Sequence, residues 1–142
     1  MRDYRKLEVW KLAKDFAVDT YRASSCFPAE ERYGLTSQIR RAAVSIAANI
    51  AEGSGRDSEQ ELLRFLRIAL GSLNEVETLA EIAVELGFLP KVEHEGLQSR
   101  AKDLGIRLRN FTAKITSDLS SNESKPNQSP GTLRPNQSKE QR

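Results

Sequence analysis

Leu97, Ala101, Leu104, Leu108, Phe111 and Ile115 follow one another at intervals of four and three. This spacing keeps apolar side chains on one side of an α-helix, whereas a strand turns over at every residue. The seam holds for nearly three heptads, long enough to demand partner helices along its length. Gly96 and Gly105 weaken that helix modestly. Three further stretches repeat the period. Val9, Leu12, Ala13, Phe16 and Ala17 mark a first helix over about Tyr4 to Ser24, with Trp10 and Tyr21 at its rim. Ile39, Ala43, Ile46 and Ile50 mark a second. Leu62, Leu66, Ala69, Leu73 and Val76, continued by Leu79, Ile82, Ala83 and Leu86, mark a third.

Punctuation between these stretches agrees with their period. Phe27-Pro28 closes the first region, because the residue before a proline leaves the helical well. Thr36 or Ser37 is expected to cap the second helix, and Gly53 to stop it. Ser58 followed by Glu61 is a capping-box pattern opening the third helix, which Gly87 ends. Pro90 then takes a favoured first-turn position for the fourth. No segment alternates apolar and polar residues over a strand's length. The expected fold is all-α: an antiparallel up-down-up-down left-handed four-helix bundle over residues 1–118. Residues 119–142 are expected to form a disordered polar basic tail, since they hold too little apolar surface to offset the entropy of ordering. That tail repeats Pro-Asn-Gln-Ser at 126–129 and 135–138, and sets Lys125, Arg134, Lys139 and Arg142 against Glu123 and Glu140.

The second helix carries more than an apolar face. Gln38, Arg41, Ser45, Asn49 and Glu52 fall on another side at about 100° per residue. A merely solvated face more often carries Lys and Glu, because Ser and Asn compete for backbone hydrogen bonds and weaken helices. Ala42, Ala47, Ala48 and Ala51 remove bulk nearby, so neighbouring helices can approach closely. Leu35, Gln38, Arg40, Arg41, Ala42, Ser45, Ile46, Asn49, Ile50, Ala51, Glu52 and Gly53 together match a long specific pattern. That pattern resembles the 23S rRNA intervening-sequence family of small bacterial four-helix-bundle proteins. The flanks are similar too: Leu7, Val9 and Trp10; Phe27-Pro28 with Glu31, Tyr33 and Gly34; and Ala69-Leu70-Gly71-Ser72 with Glu75. Accessory variability proteins of diversity-generating retroelements are distant relatives of that family. The resemblance implies a ring-like homopentamer and a reverse transcriptase or other protein as a conceivable partner.

Composition bounds the chemistry. The 142 residues are 38% hydrophobic and 30% charged, the balance of a soluble single domain. A net charge of +2 is too small to demand a polyanion, but its distribution is uneven. Residues 57–86 hold Asp57, Glu59, Glu61, Glu75, Glu77, Glu81 and Glu85 against Arg64 and Arg67, while the first and fourth helices are basic. Cys26, the one cysteine, excludes an internal disulfide and reads as a small buried apolar residue in a connector. No apolar run approaches the roughly 20 residues that span a bilayer. Met1-Arg-Asp-Tyr-Arg-Lys has no signal-peptide character either, so the expected compartment is the cytoplasm, without membrane contact.

A catalytic or metal centre is not expected. His94 is the one histidine, so paired Glu-x-x-His motifs and Cys/His zinc spacing are both missing. Gly53-Ser-Gly55 lies at a helix C-terminus, where the dipole disfavours anions. The polar centre of the chain is Arg41, Ser45, Asn49 and Glu52 with Ser72 and Glu75, expected to be a hydrogen-bonded clamp between helices two and three. No cofactor or metal is expected. Arg100, Arg107 and Lys114, spaced by seven, form one basic stripe; Lys102 and Arg109 form another, and Lys11 and Lys14 add to it from helix one. Repeated around a ring, such stripes would bind RNA or DNA phosphates. Helix three carries surplus apolar surface, buried either among bundle neighbours or against a sister subunit. The expected oligomer contacts are Leu63, Ile68, Leu70, Leu79 and Ile82. Two functions follow as expectations: a non-enzymatic RNA-associated accessory factor, or a protein-interaction scaffold.

Overall fold

The computed structural model describes residues 1–124 and Gly131. Four helices carry the fold: α1 (Glu8–Ala23), α2 (Leu35–Ser54), α3 (Glu59–Glu85) and α4 (Lys91–Glu123). Short 3₁₀ turns at Tyr4–Lys6, Ser24–Cys26 and Ala29–Glu31 link the first two, and no strand occurs among the described residues. Each helix packs on its neighbours in sequence, and α4 closes back onto α1. Partners across the contacts run in opposite sequence order. Arg107 meets Glu8 while Arg100 meets Asp19, and Ser45 meets Ser72 while Gly53 meets Phe65. The core is continuous, with Phe16, Ile39, Ile46, Ile50, Leu66, Leu73, Leu104, Leu108 and Ile115 all but fully buried. These are the positions that the helical period selects.

Helix ends differ from expectation for local reasons. The α1 helix starts at Glu8, because Asp3 caps a separate 3₁₀ turn by accepting the Arg5 amide. Neither Thr36 nor Ser37 caps α2. Instead the Glu31 carboxylate accepts the Leu35 amide at 2.9 Å, and a Cβ on Gly34 would sit 2.5 Å from that same oxygen. Gly53 is not a stop either; it lies within α2, where a Cβ would come 2.7 Å from Phe65 Cβ. Its role is close passage of α2 over α3.

At α3, Ser58 Oγ accepts the Glu61 amide at 3.1 Å, but the Glu61 side chain pairs with Arg64 instead of reaching back. The other end is a Schellman closure: Phe88 N–H bonds Ala83 O, Gly87 N–H bonds Val84 O, and Gly87 takes a φ of 75°. Helix α4 passes the expected boundary at 118 and continues to Glu123. Thr112, Thr116 and Ser120 each donate their hydroxyl to the carbonyl four residues back, which satisfies the hydroxyls within the helix while weakening it slightly. The remainder of the expected tail, apart from Gly131, lies outside the described residues. Cys26 is exposed, contrary to the expected burial, because its turn lies at the end of the bundle. Its thiol lies 3.1 Å from the Ala23 carbonyl and 3.3 Å from that of Phe88.

Candidate nucleic-acid and assembly surfaces

Half of the expected polar clamp forms. Ser45 Oγ lies 3.0 Å from Ser72 Oγ, and Asn49 Nδ2 donates to the Ser45 carbonyl at 2.8 Å and to its hydroxyl at 2.9 Å. These half-buried groups satisfy one another between α2 and α3. Glu52 stands apart, paired with Arg56 at 2.8 Å on the surface. Arg41 and Glu75 line one open cleft of about 510 Å³ with Tyr33, Ser37 and Gln38, yet no ion pair joins them. Arg40, the other arginine of the motif, does what periodicity did not suggest. Its Nε donates to Ser24 Oγ at 2.8 Å, its Nη2 donates to the Tyr21 carbonyl at 3.2 Å, and its guanidinium lies 4.7 Å from the Tyr21 ring centre. A cation there also meets the negative end of the α1 dipole.

The basic residues divide among several faces. Arg100 pairs with Asp19 at 2.9 Å, and Arg107 pairs with Glu8 at 2.5 Å and with Asp103 at 3.3 Å, in the seam where α4 meets α1. Hydrogen bonding to Asp103, reinforced by the charges of Asp103 and Glu8, holds the Arg107 pKa above its ordinary value. Lys14 keeps to its own helix, with its ammonium 5.5 Å from the Trp10 ring centre and 3.7 Å from Asp15, and borders an opening between α1 and α2. Lys102 and Arg109 flank a groove between α3 and α4 that Glu77 and Glu95 share. Lys11 and Lys114 are exposed. Lys11, Lys102, Arg109 and Lys114 thus have no carboxylate within ion-pair distance among the described residues. One continuous stripe within a subunit does not form.

The apolar surplus of α3 is smaller than its sequence suggests. Leu63 and Leu79 are each 7% exposed and belong to the subunit core, while Leu70 is half-buried against it. Little of those three remains for a partner. Ile68, Ile82 and Leu86 stay outside at 42%, 43% and 56% exposure. A second apolar surface was not expected. Between α1 and α2, Trp10, Ala17, Val18, Tyr21, Val44, Ala47, Ala48 and Ala51 line an open groove of about 670 Å³. The sequence signal for it is Val18 and Val44, which lie off the core stripes of helices that otherwise turn polar residues outward.

The model of the 23S rRNA-intervening sequence protein family matches residues 5–110, covering all of α1 to α3 and most of α4. The chain belongs to that family. Among solved structures, this family member is similar to a protein of unknown function from the S23 ribosomal protein family of Bacteroides thetaiotaomicron VPI-5482. Identity is 24%, the TM-score is 0.69, and the alignment covers 74% of this chain and 95% of the other. That likeness bears on the fold alone. No curated protein matches the chain.

Other features of this intervening-sequence protein fix less. His94 is half-buried and lines a cavity of about 310 Å³ with Phe16, Glu77, Glu81 and Leu97. No group of three or more metal-ligating side chains gathers among the described residues. None of their helices is long and apolar enough to cross a membrane.

Proposed function

We propose that this protein is a non-enzymatic, self-associating accessory factor whose assembled bundles hold exposed cations against the phosphate backbone of RNA or another nucleic acid. The observation that carries this reading is the location of the free charge. Lys102, Arg109 and Lys114 lie on α4, the helix that contributes to neither the α1–α2 groove nor the exposed α3 residues. Assembly through those apolar surfaces leaves α4 facing outward, and each added copy repeats its charge. Multivalent cations bind polyanions by releasing counterions, so affinity falls steeply with salt. The family's ring of five is the assembly we propose, and the cytoplasm its compartment. The opposite-order contacts support helices running up-down-up-down, with the left-handed crossing usual for such bundles. Reading of bases is not part of the proposal, since phosphate contacts position without specifying sequence.

Filter binding of a structured RNA at two salt concentrations tests the nucleic-acid half, with weaker retention expected at the higher salt. Absent or salt-insensitive retention overturns it. Native mass spectrometry tests the assembly, and a monomer overturns the multivalent mechanism. A second reading is a docking scaffold for a protein such as a reverse transcriptase, favoured by the same apolar groove.

A further inference from the structure

We infer that the groove between α1 and α2 receives the outer edge of α3 from a second copy of the chain, head to tail. The inference rests on the self-association proposed above and adds which two surfaces mate. Ile68, Glu75 and Ile82 are spaced by seven, with Leu86 four residues further on, so they form an exposed stripe on α3, with Glu75 also at the mouth of the cleft toward α2. From Ile68 to Ile82 the stripe is about 21 Å long at 1.5 Å per residue. The α1 wall of the groove, from Trp10 to Arg22, is about 18 Å long on the same measure. The two lengths therefore suit one helix lying along the other two.

Chemistry agrees with that occupant. Ala17, Ala47, Ala48 and Ala51 lie between Val18 and Val44 in the groove, whose polar-tipped side chains are Tyr4, Trp10, Lys14, Tyr21 and Arg22. Small residues let a foreign helix approach closely, and Ile68 and Ile82 offer the apolar bulk to fill the space. The charges are complementary as well. Arg22 and Lys14, the latter also 3.7 Å from Asp15, border the groove, while Glu75 and Glu85 are exposed along α3. Of the two cations on α3, Arg64 is already held by Glu61 at 3.2 Å and lies 4.6 Å from the Phe65 ring centre. That leaves Arg67, at the N-terminal end of the stripe, against the carboxylates Glu75, Glu77, Glu81 and Glu85. The mating surfaces are different patches on each copy, so association propagates and closes only as a ring.

Val44→Glu and Ile82→Glu test this, because both side chains are 40–50% exposed and the subunit tolerates charge at each. Circular dichroism melts establish that both variants fold. By native mass spectrometry each alone is expected to need at least tenfold more protein to assemble. Mixed together, they form a one-to-one heterodimer, since one keeps an intact groove and the other an intact α3 edge. Wild-type assembly with either variant unaffected, or a mixture that stays monomeric, overturns the inference while leaving self-association standing. Loss of RNA retention instead of assembly in Val44→Glu assigns the groove to nucleic acid and also overturns it. A monomeric wild type removes the proposed function along with the inference.

Discussion

Arg40, in the first turns of α2, reaches back to Ser24 at the end of α1 and donates to its hydroxyl across 2.8 Å. Ser24 is 2% exposed and donates in turn to the Thr20 carbonyl at 2.8 Å. The guanidinium therefore ends a buried chain of hydrogen bonds while stacking on Tyr21. Arg40→Ala leaves the Ser24 oxygen without its donor, and the expected loss is about 1–2 kcal/mol in urea denaturation. Arg40→Lys recovers less than half, because an ammonium lacks the planar fork that spans both acceptors. Equal stability of all three proteins contradicts the assigned role.

Gly53 and Gly55 lie two residues apart and respond oppositely to a methyl group. At Gly53 the added carbon meets Phe65 Cβ at 2.7 Å and Leu62 Cδ1 at 3.2 Å, both on α3, with which α2 makes the most extensive helix contact of the fold. Gly53→Ala is expected to cost about 1–3 kcal/mol through overpacking. At Gly55 the nearest atom is the Glu52 carbonyl oxygen at 3.6 Å, and φ is −84°. Gly55→Ala is expected to be stabilising by about 0.4–1 kcal/mol, by restricting the unfolded chain. Thermal melts of the two variants decide between a packing glycine and a stop signal at residue 53.

Glu59 is the carboxylate whose titration bears on stability. Its hydrogen bond from Arg2, aided by the Arg2 charge, holds it below the ordinary carboxylate range despite partial burial. A folded value below the unfolded one means the pair stabilises fully above the unfolded pKa, about 4.3. That contribution disappears as pH falls through the lower folded value. Glu59→Gln is therefore expected to be less stable than the wild type at pH 7, with the gap narrowing as pH falls below about 4.3. Both side chains are more than a third exposed, at 36% and 40%, so the difference at pH 7 is limited to about 0.5 kcal/mol. Urea denaturation across this pH range measures the gap.

The number, type and core faces of the helices were legible because each face repeats over several turns, and repetition averages out local exceptions. Leu104, Leu108 and Ile115 are buried as their spacing demands. Ends were less legible, since they depend on single side chains reached through space. The Glu31 cap on α2 and the packing role of Gly53 both need a neighbour that the local sequence does not announce. The same limit applies to charge. Arg100 and Arg107 share a stripe with Lys114 on paper, but Asp19 and Glu8 come to them from α1, about ninety residues away in the chain. Leu63 and Leu79 flank the core stripe of α3 and count as surplus until the neighbouring helices close over them. The α1–α2 groove is a property of two helices together, visible in either sequence only as one valine out of place.

The division of the basic residues makes opposite predictions for two sets of changes. Lys102→Gln with Arg109→Gln and Lys114→Gln removes exposed cations that have no carboxylate within ion-pair distance among the described residues. RNA affinity should fall, and the slope of log affinity against log salt should flatten by about 0.7–0.9 for each phosphate left without its cation. Glu8→Gln with Asp19→Asn does the reverse. It keeps every cation, releases Arg100, and leaves Arg107 with Asp103 alone, so affinity and slope should both rise. Exposed pairs of this kind contribute about 0.2–1 kcal/mol each, so the bundle should survive their removal with a small drop in melting temperature. Filter binding over a salt series reads the slopes directly. If the acid-to-amide variant gains nothing while the α4 triple variant loses binding, RNA contacts the outer flank of α4 and not its seam with α1. If neither changes, phosphate does not meet these helices.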